Sequence, residues 1–289
     1  MEARPGSQMS YPETIKVGFS PCPNDTFIFG ALAQGLFTPR LRYETFIQDV
    51  ETLNELALEG KLPLTKLSFG VFPAVISTYE LLPVGAALGF GCGPLLVARK
   101  KPDNLARIRI AVPGLHTTAY LLLRFYLPEL GQVVPLRYEK IIPAVVKGEV
   151  EAGLLIHEGR FVYQQYGLTA LVDLGKWWEK ETRLPLPLGG VFIKRDLPYE
   201  IKRAVLADLR ESLNLARKNK AALWDFIREN AQELNPEVIN KHLETFVNHY
   251  TYDLGEQGRK AVEVFLKWCQ SRGLLEDLPQ KFLFDGEAV

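Results

Sequence analysis

The sequence carries no net charge that would attract a polyanionic partner. Its 34 lysines and arginines are balanced by 34 aspartates and glutamates. Proteins that bind nucleic acid or an anionic membrane surface usually present a broad basic field, because they must neutralise many phosphates. We therefore expect neither nucleic acid nor a membrane among the partners of this chain, and a small molecule or another protein instead.

Long apolar runs and paired cysteines are also missing. No apolar stretch reaches the roughly 18 residues that span a bilayer. The segment 1–14 is polar, carries two prolines and lacks the apolar core of a secretory signal. Cys22, Cys92 and Cys269 are far apart and form no C-x-x-C pair. These absences predict a cytoplasmic protein with reduced thiols and no zinc knuckle.

What the sequence does contain, from Ile15 to about Arg195, is an alternation of short β-rich runs with helical runs. The predicted strands are 15–19, 41–46, 64–68, 94–99, 108–112, 152–157 and 190–194. Between several of them, apolar residues recur at helical spacing, as in 50–58, 118–127 and 140–147. Such alternation is typical of an α/β protein with a largely parallel sheet covered by helices.

After Arg195 the pattern becomes helical. Successive amphipathic helices are predicted at 199–218, 220–232, 236–250 and 256–272. A helical tail of this length must pack on a sheet that already exists. It therefore belongs to the lobe that the chain builds first.

The most economical arrangement has two lobes. Lobe one comprises residues 1–96 plus 190–289, and lobe two comprises residues 97–189. The segments 94–100 and 189–195 cross between the lobes and are predicted to form a hinge.

Three predicted strands end in hydroxyl or amide residues just before a predicted helix. These strand ends are 20–26 (SPCPNDT), 65–68 (TKLS) and 113–118 (PGLHTT), before helices at 27–34, 69–79 and 119–127. In open α/β sheets ligands bind beyond the carboxyl ends of the strands, where helix N-termini suit a carboxylate. The alternative is that these residues only cap their helices. Three such ends, two in lobe one and one in lobe two, favour a cleft that binds a small carboxylate.

His157 ends the predicted strand 152–157 and is the strongest candidate for proton transfer. At the carboxyl edge of a sheet its imidazole would meet a ligand, and imidazole titrates near neutral pH. The alternative is a hydrogen-bonded structural histidine.

His116 is a second candidate, as a donor at a helix start. His242 and His249 share one predicted helix, but no carboxylate or cysteine completes a metal site, so we assign them to packing or to the surface.

Seven segments carry a resemblance to a known family. They are SPCPNDTFIF (20–29), DVETLN (49–54), LPLTKLSF (62–69), GPLLVAR (93–99), VPGLHTTAYLLL (112–123), GEVEAGLLIHEGRF (148–161) and LPLPLGG (184–190). In this order they resemble the 1,4-dihydroxy-6-naphthoate synthase family of the futalosine route of menaquinone biosynthesis. The match runs from about Lys16 through nearly the whole chain. It implies a type II periplasmic-binding-protein fold used by an enzyme, without metal or organic cofactor.

The resemblance also implies a reaction and a set of site residues. The family's substrate is cyclic de-hypoxanthine futalosine, which a carbon–carbon lyase splits into 1,4-dihydroxy-6-naphthoate and dihydroxyacetone. By similarity His157 is the catalytic base. The implied substrate-binding residues are Lys66, Leu67, Ser68, Thr117, Thr118 and Ala119, with Asn54 and Asn24 as neighbours.

Two other functions stay open at this point. The same fold usually serves as the solute-binding receptor of a transporter, and fold alone does not decide function. The absent secretory signal argues against a receptor. The sister enzyme of the same route, which dehydrates chorismate, shares the architecture, but the segment around His157 favours the cleavage enzyme. The sequence leaves the oligomeric state open, and a homodimer is one assembly it allows.

Overall fold

The computed structural model describes residues 14–286; the polar segment 1–13 and residues 287–289, both counted in lobe one above, lie outside the described residues. The strands are β1 (Thr14–Phe19), β2 (Arg42–Ile47), β3 (Leu64–Ser68), β4 (Tyr79–Leu81), β5 (Ala87–Gly89), β6 (Leu95–Ala98), β7 (Ile110–Val112), β8 (Val133–Pro135), β9 (Ala152–Leu155), β10 (Thr169–Asp173) and β11 (Leu186–Lys194). The α-helices are α1 (Pro23–Ala33), α2 (Val50–Leu58), α3 (Phe72–Val75), α4 (Thr118–Tyr126), α5 (Tyr138–Lys147), α6 (Gly159–Val162), α7 (Leu174–Thr182), α8 (Tyr199–Lys218), α9 (Trp224–Asn230), α10 (Pro236–Phe246), α11 (His249–Tyr252) and α12 (Gly255–Gln270).

The strands form two sheets, which confirms the predicted α/β class. The first has the order β2-β1-β3-β11-β4, with β5 paired to β11. The second has the order β10-β6-β9-β7-β8. Both sheets are mixed, since β11 runs antiparallel to β3 and β6 runs antiparallel to β9 and β10. The expectation of a largely parallel sheet was therefore wrong. One reason is that β11 returns to the first sheet from the second and lies antiparallel beside β3.

Two helix predictions match the structure residue for residue. Helices α2 and α8 span the predicted residues, and Asp49 caps α2 by accepting hydrogen bonds from two backbone N–H groups of its first turn. The predicted helix 69–79 is wrong, because only the short α3 forms there. The predicted helix 236–250 is two helices, because Asn248 caps a new one by accepting a hydrogen bond from Tyr250 N.

The chain changes sheets twice, and the two connections touch. It leaves the first sheet after β5 and returns to it at β11. A Cβ at Gly93 would collide with the backbone of Gly175, and Leu174 N donates to Pro94 O at 3.0 Å. The predicted lobe boundaries, 96/97 and 189/190, fall inside β6 and β11. The division into lobes and the hinge remain predictions.

A shared core joins the two sheets. One apolar cluster contains Phe192 from β11, Leu96 from β6, Trp178 from α7 and Phe265 from α12. The ring of Trp268, also on α12, lies 5.1 Å from that of Trp178. The helical tail therefore reaches both sides of the molecule: α8 packs on α1 beside the first sheet, and α12 contacts α7, which packs on β6 of the second. Within residues 14–286 no helix is long and apolar enough to cross a bilayer.

Candidate active site

A cavity with about 80 Å³ of water-accessible space lies between the two sheets. It brings together most of the predicted site residues, from segments far apart in the chain. Those that line it are Asn24, Lys66, Leu67, Ser68, Thr117, Thr118, Ala119 and His157. Asn54 is not among the lining residues. Its side-chain oxygen instead accepts a hydrogen bond from Ser68 N at 3.1 Å, behind the cavity wall.

A buried ion pair closes one side of the cavity. Asp25, in the first turn of α1, accepts hydrogen bonds from Lys66 Nζ at 2.6 Å and from Ser20 Oγ at 2.6 Å. Lys66 also donates to Gly85 O at 3.0 Å, and both members of the pair are about 4% exposed. Because its charge is already neutralised by Asp25, Lys66 shapes the polarity of the wall and is not a free cation.

Two hydroxyl groups join the sheets at another side of the cavity. Ser68, at the end of β3, and Thr118, at the start of α4, have their Oγ atoms 2.8 Å apart, and Thr118 N donates to Ser68 Oγ at 2.6 Å. Thr118 Oγ1 also donates to Leu188 O and accepts from Gly70 N. We call the pair Ser68 and Thr118 the hydroxyl clasp. Its two hydroxyls are fully hydrogen-bonded within the protein.

The first turns of two helices offer unpaired backbone amides to the cavity. Thr117 caps α4 by accepting a hydrogen bond from Tyr120 N at 3.2 Å. Ala119 N, one residue further into α4, has no acceptor among residues 14–286, and the same holds for Asn24 N in the first turn of α1. Both residues line the cavity. Such amides carry the partial positive charge of a helix start and suit an anionic group.

His116 lies outside this cavity. Its backbone N donates to Glu51 Oε1 at 3.0 Å, and its Nδ1 lies 2.8 Å from the same oxygen. Gly114 has φ +133°, and a Cβ there would collide with the Glu51 carboxylate, so the close approach requires glycine. This contact joins α2 to the loop before α4, and His116 lines a separate cavity of about 410 Å³. It does not meet His157.

His157 lines the cavity between the sheets in an unusual backbone conformation. Strand β9 ends two residues earlier, and His157 itself has φ +50°, in the left-handed region that non-glycine residues rarely adopt. Its ring lies between those of Tyr138, at 5.0 Å, and His242, at 5.9 Å and nearly parallel. No hydrogen bond within residues 14–286 occupies either ring nitrogen. The stacking alone therefore orients the imidazole.

The surroundings keep His157 neutral. Burial lowers its pKa from 6.5 to about 4, and the charges of His242 and Lys66 act in the same direction, whereas Glu158 and Asp25 oppose them. A neutral imidazole with free nitrogens at the wall of a cavity is able to accept a proton.

His242 and Glu158 are the site residues that the sequence analysis missed. His242 is fully buried in α10, its Nε2 lies 2.8 Å from Asn24 Oδ1, and its Nδ1 lies 3.4 Å from Glu158 Oε2. The predicted helix shared by His242 and His249 is wrong, because α10 ends at Phe246 and His249 is exposed on α11. No sequence signal links His242 to His157. Only the packing of α10 against the cavity brings them together.

Glu158 is ionised although it is buried. Burial raises its pKa, but the imidazoles of His242 and His157 outweigh burial, and the pKa falls to about 2. The nearby Cys22 shows the opposite result. Burial and the charges of Glu158 and Asp25 raise its pKa well above the ordinary value, so its thiol stays protonated and is a poor nucleophile.

Comparison with solved structures shows the fold. A protein from Archaeoglobus fulgidus is 35% identical, with a TM-score of 0.87 over 92% of this chain and all of that chain. A ligand-binding component of an ABC-type import system from Staphylococcus aureus has a TM-score of 0.68 over 95% of this chain and 97% of that chain, at 11% identity. The second likeness concerns the fold alone. A Candida albicans protein with the generic periplasmic binding protein fold has a TM-score of 0.66 over 95% of this chain and 99% of that chain, at 14% identity. Together these likenesses confirm the periplasmic-binding-protein fold.

Comparison with curated proteins shows the family. A family model described as menaquinone biosynthesis matches residues 15–271. The 1,4-dihydroxy-6-naphthoate synthase of Thermus thermophilus is 49% identical over 93% of this chain and 98% of that protein. The protein of the same name from Streptomyces coelicolor is 39% identical over 92% of this chain and 96% of that protein. The chain therefore belongs to the menaquinone biosynthesis family of enzymes.

Proposed function

We propose that this chain splits cyclic de-hypoxanthine futalosine into 1,4-dihydroxy-6-naphthoate and dihydroxyacetone, with His157 as the general base. One observation carries the proposal: a neutral imidazole with free ring nitrogens lines a cavity whose wall also contains residues with unpaired helix amides. The names of two relatives at 49% and 39% identity support the same product.

The anionic group of the substrate binds where α4 begins. The unpaired Ala119 N and the hydroxyl clasp of Ser68 and Thr118 lie there, and the helix dipole favours negative charge. Thr117 supports this site by capping the helix, and Asn54 supports it by holding Ser68 N. On this proposal some predicted residues contact the substrate, and others hold those residues in place.

The cleavage needs a base, donors for developing negative charge and exclusion of water. His157 removes a proton from the substrate, the electron pair that this releases moves toward the aromatic ring as the carbon–carbon bond breaks, and a proton returns to the leaving three-carbon fragment. The substrate divides into two products, so no water, oxidant or reductant is consumed. Unpaired amides such as Asn24 N are suited to stabilise a developing oxyanion.

Entry of the substrate requires the two sheets to separate. The cavity has only about 80 Å³ of water-accessible space. The hydroxyl clasp joins the sheets at one side of it, and the Glu51–His116 contact joins them at a separate cavity. The touching connections at Gly93 and Gly175 are where we place the hinge of the two predicted lobes. Opening and closing about this point is part of the proposal.

The direct test is incubation of the purified protein with cyclic de-hypoxanthine futalosine, followed by mass analysis of the products. We expect equimolar 1,4-dihydroxy-6-naphthoate and dihydroxyacetone. Binding without conversion would favour a receptor, and conversion of chorismate instead would favour the sister dehydratase. We also propose that the enzyme acts in the cytoplasm. Light scattering of the purified protein tests whether it forms a homodimer.

A further inference from the structure

The orientation of the Asn24 amide is determined by its neighbour. Asn24 Nδ2 donates to Asp25 Oδ1 at 2.8 Å. The same carboxylate already accepts from the Lys66 ammonium and the Ser20 hydroxyl, so it can only accept from Asn24 as well. The Asn24 oxygen must therefore face His242 Nε2, which lies 2.8 Å away. It follows that His242 Nε2 carries a proton.

A second proton lies between His242 and Glu158. His242 Nδ1 is 3.4 Å from Glu158 Oε2, and both atoms are buried without a regular hydrogen bond. A lone pair on Nδ1 facing a carboxylate oxygen in a dry environment would be repulsive. A proton on Nδ1 instead makes the contact with the carboxylate attractive. The second proton is then on Nδ1, and His242 is an imidazolium ion.

This imidazolium is stacked on the proposed base. The rings of His242 and His157 are 5.9 Å apart between centroids and tilted by only 11°. Charged and titratable groups from several other elements also face His157. They are Glu158 beside it in the chain, Asp25 on α1, Lys66 on β3, Tyr138 on α5 and the His242 ring on α10. Asp25 and Lys66 neutralise each other at 2.6 Å. His242 and Glu158 are therefore the nearest residues whose substitution changes the charge beside His157 without breaking that ion pair.

We propose that Asn24, His242 and Glu158 form a positioning chain, in which His242 is held as an imidazolium ion against the His157 ring, adds to the burial that keeps that ring neutral, and orients it for proton removal. His242 does not touch the reacting atoms and is a positioning residue. The charge state of His242 is argued from its hydrogen bond to Asn24 and from its 3.4 Å contact with Glu158. Its use in catalysis rests on the proposed function.

The first test reads the charge states directly and needs no substrate. The full chain is labelled with ¹⁵N-histidine, and each of its four histidines is assigned by a single His→Gln variant. At pH 7 we expect both ring nitrogens of His242 to be protonated and His157 to be neutral. In Glu158→Gln we expect His242 to lose its Nδ1 proton and keep its Nε2 proton. A neutral His242 in the wild type, or an unchanged His242 in Glu158→Gln, would overturn the proposal.

The second test follows the titration of His157 and the turnover. In His242→Gln the cation is removed and the carboxylate stays, so the pKa of His157 should rise by about one pH unit or more. The acid limb of the kcat/KM profile should move upward by the same amount, and kcat should fall about 10- to 100-fold, as for other residues that orient a reacting group. Loss of activity without a shift of the acid limb would indicate a purely structural role and contradict the proposal.

His249→Gln is the matched control, because His249 is an exposed histidine close by in sequence. It should change neither the His157 signal nor the acid limb. If His242→Gln fails to fold, the wild-type and Glu158→Gln spectra still decide the charge assignment. The two proposals can also fail separately. Absence of naphthoate with the expected spectra would reject the proposed reaction alone, and product formation with a neutral His242 would reject the positioning chain alone.

Discussion

At the Ser68 end of the cavity each hydroxyl of the clasp has a hydrogen-bond partner, whereas at the His157 end several buried polar atoms have none. Tyr138 Oη, His242 Nδ1 and both carboxylate oxygens of Glu158 lack a regular hydrogen bond. Buried polar groups are usually satisfied, so an unsatisfied cluster beside a cavity needs an explanation. The two ends therefore differ in role. The Ser68 end, here called the clasp end, joins the sheets and binds the anion. The His157 end, here called the histidine end, contains charged groups that a reaction can use.

The largest effect should come from His157→Gln, which removes the base and leaves the clasp intact. General bases typically contribute 10²- to 10⁴-fold, so we expect kcat to fall by about that factor. Substrate affinity should change little, because the clasp end supplies it. Single-turnover kinetics and calorimetric titration measure the two quantities. A wild-type rate of turnover in this variant would show that the His157 end of the cavity does not supply the base.

The ion pair beside the histidine end should be the most sensitive point for stability. In Asp25→Asn the Lys66 ammonium is left buried without its counter-charge. Removal of one partner of a buried pair costs about 3–5 kcal/mol of unfolding free energy. Urea unfolding checks this, with Glu44→Gln as control, because Glu44 forms an exposed pair with Lys16. A loss as small as that of the control would show that Lys66 does not depend on Asp25.

The histidine end should also make stability depend on pH. The unfolded chain binds a proton at His157 near pH 6.5, but the folded protein does so only near pH 4. Between these values the unfolded state binds more protons, so stability falls as the pH falls. From pH 7 to pH 5 the loss at this one group should be about 2 kcal/mol. Urea unfolding of the wild type and of His157→Gln at both pH values measures it as a difference. If the unfolding free energy fell by the same amount between pH 7 and pH 5 in both proteins, that result would contradict the low pKa of His157.

The smallest effect should come from the clasp. Thr118→Val removes the hydroxyl that bonds Ser68, Gly70 and Leu188, and Thr118→Ser keeps it. A neutral hydrogen bond contributes about 1 kcal/mol, so substrate affinity should weaken about fivefold in the valine variant, with kcat nearly unchanged. Binding titrations of both variants test this. A larger fall in kcat than in affinity would mean that the clasp takes part in the chemistry.

Much of the site could be predicted because it lies where strands end and helices begin. Polar residues from 20–26, 65–68 and 113–118 do meet at one cavity, since Asn24, Lys66, Ser68, Thr117 and Thr118 all line it. Ligands of open α/β sheets bind at such carboxyl ends of strands. Short strands such as β4 and β5 were missed, because three residues carry no measurable periodicity. The role of Asn54 was also hidden, since nothing in the sequence distinguishes a ligand-binding amide from one that holds Ser68.

By itself the sequence determined the α/β class, several of the helices and strands and the family, because these depend on spacing and residue type within short windows. Only the tertiary structure decided which titratable groups meet. Asn24 and His242 are 218 residues apart and share a hydrogen bond, and His116, which the sequence placed second, lies in another cavity. The physical reason is that charge states depend on burial and on neighbours within a few ångströms. Those neighbours come from whichever helices pack together, and helix packing has no short-range signal in the chain.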